Sequence, residues 1–157
     1  MIAYPIGISG QCLVFSTGVL NHLAKHRQTH WWHAEAGGQL FARFEVPNIV
    51  VEKATGPRKS DRRSRFCYVP NRSIEQREIN QLHGEGLHFI GDWHTHPESI
   101  PSPSYWDAES MRDLFNRSDH KLNGIVLAIV GRESFPLALS VWVYAGAEVI
   151  KLSQSGL

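Results

Sequence analysis

Apolar residues recur along this chain in two rhythms, and the rhythm changes where turn residues intervene. Residues 11–15 form a short apolar run that predicts a strand. Val19, Leu20, Leu23 and Ala24 then recur at helical spacing and predict one buried stripe of a helix capped by Ser16. Residues 38–44 and 48–54 read as paired strands turning at Val46-Pro47-Asn48, followed by a basic loop over 56–65 and a strand over 66–69. Ser73 with Gln76 three residues on spells a capping box, opening a helix that ends at Gly84 or Gly86. Residues 87–94 form the next strand, 97–103 a proline-rich loop, and Ser104 caps a helix reaching about Asn116. Residues 124–130 and 137–144 are the clearest strands, and 148–152 is a short last one. Trp31 and Trp32 are expected to pack where the chain turns back toward its core.

This order predicts an α+β fold (mixed α/β) with a central, mostly antiparallel or mixed sheet flanked by helices. No repeat, linker or low-complexity tract interrupts it, so residues 1–157 are read as a single domain. Hydrophobic residues at 42% and charged residues at 20% are a globular balance. A net charge of +1 makes no overall case for nucleic acid or membrane as a partner. With no long apolar span and no export signal, a cytoplasmic location is expected. Cys12 and Cys67, each in an apolar stretch, are expected to be buried reduced thiols.

The chemistry concentrates in Gly91-Asp92-Trp93-His94-Thr95-His96-Pro97 and Pro103-Ser104-Tyr105-Trp106-Asp107. Strand alternation puts His94 and His96 on one face, close enough to share an ion. Pro97 ends the strand, and the loop returns to a helix whose first turn carries Asp107, where a carboxylate is favoured and can point back at the histidines. Two imidazoles and one carboxylate suit a catalytic zinc that keeps a position for water. Each alone has a plainer reading: a hydrogen-bonded surface histidine, or a capping-box partner for Ser104. Hydrolysis also needs a base, and the candidate is Glu35, just before Gly37-Gly38, glycines that permit close backbone approach.

Glu35, His94-Thr95-His96-Pro97, Ser104 and Asp107 together resemble the JAMM signature of the JAB/MPN metalloproteases: a glutamate, HxH, ten residues and an aspartate. That resemblance implies a JAB/MPN-like fold with a cytidine-deaminase-like layout. It implies one zinc ion per chain on His94, His96 and Asp107, with Glu35 as general acid/base and Ser104 as oxyanion donor. The segments Gly37-Gly38-Gln39-Leu40-Phe41-Ala42 and Ala54-Thr55-Gly56-Pro57-Arg58 are further similar to a compact bacterial JAB group of anti-phage (CBASS) operons. In that group the JAB protein removes a cGAS-like nucleotidyltransferase from conjugated targets by cutting after its C-terminal residue. The implied partner is therefore a protein with an extended C-terminal tail, either a conjugated nucleotidyltransferase or a ubiquitin-like protein; release of a sulfur-carrier protein uses the same site. A metal-free MPN scaffold is the alternative of another class, although such modules lose ligands that this chain retains. A zinc deaminase is excluded, because its PCxxC ligand pair is absent.

Other residues keep two readings. Arg58, Lys59, Arg62, Arg63 and Arg65 are either a solvated loop or a patch, led by Arg58, Arg62 and Arg63, that holds the substrate. Trp106 has a claim to the cleft rim, whereas Trp93 is expected in the core. His22, His26, His30 and His33 read as surface histidines.

Overall fold

The computed structural model describes residues 1–117 and 123–155. In chain order the elements are β1 (Ile2–Pro5), β2 (Cys12–Phe15), α1 (Thr17–Ala24), β3 (Gly37–Glu45), β4 (Asn48–Ala54), β5 (Arg62–Ser64), β6 (Cys67–Val69), α2 (Arg72–Gly84), β7 (His88–Thr95), α3 (Tyr105–Arg117), β8 (Ile125–Val130), β9 (Leu139–Tyr144) and β10 (Val149–Lys151). Eight strands make one sheet in the order β1-β2-β4-β3-β7-β8-β9-β10, and β5 and β6 pair as a separate hairpin. The β2–β4 and β7–β8 pairs are parallel and the other neighbours antiparallel, so the sheet is mixed and mostly antiparallel as expected.

Alternation along β8 shows how the layers form. Val126, Ala128 and Val130 join the main core with Val19 and Leu23 of α1. Leu127 and Ile129, pointing the other way, pack with Met111 of α3. On that same side Phe41 and Phe89 meet Leu82 of α2. Helix α1 thus covers one face, while α2 and α3 sit on the other, and β8 is buried on both sides.

Strand β7 departs from simple alternation. Its register against β3 shifts between Leu40 and Phe41, so Ile90 has no partner and Phe89 shares a side with Asp92. Gly91 permits this, because its φ of +151° suits glycine and a Cβ would strike the Val126 carbonyl oxygen. The bulge sets the phase that follows: Trp93 is buried in the main core and His94 projects from the opposite face.

Several expectations are corrected. Helix α2 is capped by Asn71, whose side chain accepts from the Ile74 N–H, because Asp61 Oδ1 already holds the Asn71 N–H at 2.8 Å; Ser73 lies inside the first turn. The basic loop gives way to strand β5 at Arg62. Ile2–Pro5 adds an edge strand paired with β2 that no run had suggested. Cys67 is exposed on the separate β5–β6 hairpin, and Cys12, the first residue of β2, is only partly covered. Trp31 and Trp32 are exposed at 75% and 62% and meet edge to face, Trp32 also lying against His30 and His33 instead of the core. His22 and His26 are half-buried against Trp93 and not free surface groups; burial lowers His26 to a pKa of about 4, with positive neighbours adding to the effect.

Candidate active site

The end of β7 and the first turn of α3 build one side of the site. His94 and His96 bring their Nε2 atoms to 3.1 Å from each other. The chain is held there by backbone bonds from Thr95 N–H to Ala36 O at 2.8 Å and from His96 N–H to Val130 O at 2.9 Å. Ser104 and Asp107 cap α3 reciprocally: the Ser104 N–H donates to Asp107 Oδ2 at 2.7 Å, and the Asp107 N–H donates to Ser104 Oγ at 3.1 Å. The capping box and the ligand reading are therefore compatible. The cap aims the carboxylate so that its oxygens lie 3.1 Å from His94 Nε2 and 3.4 Å from His96 Nε2.

Glu35 closes the site from the segment before β3. Ligand atoms of Glu35, His94 and His96 all lie within 4.8 Å of one another. Close packing behind Glu35 depends on glycine: a Cβ on Gly38 would run into the Thr55 carbonyl oxygen. Burial raises the Glu35 pKa above the ordinary glutamate value, opposed by the nearby histidines. Burial would also raise Asp107, but hydrogen bonds from both histidines and the Ser104 N–H hold it well below the carboxylate range. Burial works to lower His96, yet the Asp107 carboxylate outweighs it and leaves the imidazole raised. One step back along the His94 face, burial pushes Asp92 up to about 7.

This donor set fits a divalent metal. The two imidazole nitrogens lie 3.1 Å apart with Asp107 oxygens at 3.1 and 3.4 Å from them, and Glu35 offers a second carboxylate within 4.8 Å of the same histidines. Glu98 Oε1 lies 3.1 Å from His96 Nδ1, the outer-shell carboxylate that usually orients a ligating histidine.

Residues 16–144 match the family described as prokaryotic homologs of the JAB domain. The chain belongs to the prokaryotic JAB family. It is 35% identical over 129 residues to a CD-NTase/cGAS isopeptidase of Vibrio cholerae, covering 79% of this chain and 80% of that one. A protein of the same name from Escherichia coli is 33% identical over 101 residues, covering 62% of this chain and 65% of that relative. Among solved structures, a Desulfitobacterium hafniense protein superposes with a TM-score of 0.63 over 88% of both chains, at 17% identity. That last likeness is one of fold.

In this JAB domain the remaining sequence candidates separate. Trp106 is 75% exposed beside Asp107, as a rim residue would be, and Trp93 is buried with its indole N–H on the Thr55 carbonyl. Arg58 is revised from a substrate contact to an internal one. Its side chain is 9% exposed, with the guanidinium bonded to Glu78 and Thr55 and flanked by Asp61 and Glu75. Arg58→Ala is expected to destabilise the fold by about 3–5 kcal/mol, the usual cost of leaving buried charges without their partner, as read from denaturant melts. Arg63 bonds to the backbone of Glu35, and Arg62 stands exposed. Sequence reasoning missed Gln28, buried at 1% exposure, which accepts from the Thr95 hydroxyl at 2.8 Å. No local pattern marks it; its place between the ligand strand and the hairpin exists only in the fold.

Proposed function

We propose that this protein is a zinc-dependent isopeptidase of the JAMM type, which cuts after the C-terminal residue of a protein conjugated through an extended tail. The carrying observation is the convergence of His94, His96 and Asp107 on one point with Glu35 poised beside it. Its relatives named CD-NTase/cGAS isopeptidase support a cGAS-like nucleotidyltransferase as the conjugated protein, removed from its targets in anti-phage defence.

His94, His96 and Asp107 would hold the zinc ion. The bound ion would supply Lewis-acid polarisation of a water and of the scissile carbonyl. Glu35, kept receptive to a proton by its burial, takes one from the attacking water and delivers it to the leaving amine. Ser104 Oγ accepts the Asp107 N–H, which leaves its own hydroxyl proton free to donate to the oxyanion. Trp106, exposed beside Asp107, and Arg62, exposed on β5, are assigned to the tail and its folded domain. Among the described residues no helix is long and apolar enough to cross a membrane.

The test is zinc stoichiometry together with cleavage of a fusion carrying a nucleotidyltransferase C-terminal tail. One zinc per chain with cleavage after the tail is the expected result. Zinc without cleavage would redirect the assignment to ubiquitin-like or sulfur-carrier tails, and absence of zinc would leave a scaffold domain.

A further inference from the structure

The basic run divides its work: Lys59 and Arg62 face solvent, whereas Arg63, itself exposed, bonds the segment that carries Glu35. The Arg63 Nε–H donates to the Glu35 carbonyl at 2.7 Å, with Nη2 3.5 Å from the Ala34 carbonyl. From the same strand, the Ser64 carbonyl accepts the Glu35 N–H at 2.7 Å. Arg65 Nη1 donates to the carbonyls of His30 and Trp31. Glu35 precedes β3, so no sheet ladder holds its peptide groups; the hairpin does.

The next residue is anchored to the metal-ligand strand. The Ala36 N–H donates to Thr95 Oγ1 at 2.9 Å, and Thr95 stands between His94 and His96. The Thr95 hydroxyl in turn donates to Gln28 Oε1, and Gln28 Nε2 reaches back to the Arg65 carbonyl at 2.9 Å. Hairpin, base segment and ligand strand are thereby joined in one chain of hydrogen bonds through a buried amide.

We propose that the hairpin of β5 and β6 is a clamp that sets Glu35 over the metal ligands, with Arg63 as a positioning residue for the base. The physical need is geometric. Acid–base catalysis requires the carboxylate within hydrogen-bond reach of its proton, and a displacement of about 1 Å costs on the order of 100-fold in rate. Neighbouring residues of a strand point to opposite sides, which is why Arg63 faces Glu35 while Arg62 is left to face outward. Two adjacent arginines in one basic run therefore have different work.

This inference rests on Glu35 as the base, and the experiment separates the two. Zinc-loaded full-length Arg63→Ala, Arg63→Lys, Arg62→Ala and Glu35→Gln proteins are compared on the same tail fusion. Arg63→Ala is expected to lose about 100-fold in kcat with KM and zinc stoichiometry unchanged. Millimolar guanidinium restores part of that loss, and Arg63→Lys, which keeps one donor, falls between. In the metal-free protein, amide exchange at Glu35 becomes faster in Arg63→Ala, a readout that needs no catalysis. An unchanged kcat in Arg63→Ala overturns the clamp. So does a salt-dependent rise in KM alone, shared with Arg62→Ala, which would make both arginines a substrate patch. Full activity in Glu35→Gln would instead overturn the assignment of the base itself.

Discussion

Glu35→Gln is expected to lower kcat for tail cleavage by about 10²–10⁴-fold, the range supplied by a positioned acid–base group, while zinc stoichiometry stays at one per chain. The substitution is nearly isosteric, and the Glu35 contacts that hold the loop are backbone ones: its N–H on the Ser64 carbonyl and its carbonyl on Arg63. The amide therefore occupies the same place without being able to take or return a proton. Burial makes the glutamate costly to ionise in the resting protein. Removing that carboxylate is expected to leave the melting temperature unchanged or raise it, the usual cost of a functional group placed against its own solvation. Steady-state kinetics beside metal analysis and a thermal melt decide it; a variant inactive because it has lost zinc would place Glu35 among the ligands instead.

Asp107→Asn is expected to do the reverse, weakening zinc binding by more than about 100-fold, beyond the usual loss for an outer-shell partner, and abolishing cleavage with it. Asparagine retains an oxygen that can accept the Ser104 N–H, so helix α3 keeps its cap and the loss falls on the site. The pH dependence has a definite sign. In the metal-free protein Asp107 holds His96 raised, so that imidazole carries its proton to higher pH than usual. Ligands must be deprotonated to bind, so the apparent zinc affinity of the parent protein falls as pH drops through the raised His96 value, and binding releases a proton. In Asp107→Asn that proton leaves at lower pH, and proton release on binding near neutrality is smaller. Calorimetry in buffers of different ionisation enthalpy measures it; equal proton release by both proteins would overturn the hold of Asp107 on His96, and an unchanged zinc affinity would remove Asp107 from the ligand set.

Much of the candidate site was legible because its parts are local. His94 and His96 lie two residues apart at a strand end, and Asp107 lies three residues after its own cap, so spacing and helix physics set each half, and the resemblance to the JAMM signature joined the halves. The clear strands were legible for a similar reason: β8 is apolar throughout because both its faces are covered. Elements whose residues depend on distant partners were not. The bulge at Gly91 answers to the Val126 carbonyl across a parallel strand, and the cap at Asn71 to Asp61 ten residues earlier.

The arginines mark the boundary most clearly. Composition showed five basic residues between 58 and 65 and left a solvated loop and a substrate patch equally open. Tertiary structure decided residue by residue: Arg58 turns into a buried cluster of carboxylates, Arg63 bonds a carbonyl 28 residues away, and Arg62 remains outside. The amino-acid sequence by itself determined the local pairings, His94 with His96 and Ser104 with Asp107, because periodicity and capping act over a few residues. Only the folded chain decided what holds the base beside them, because an arginine's partner is whichever carbonyl or carboxylate the long-range packing brings within its reach.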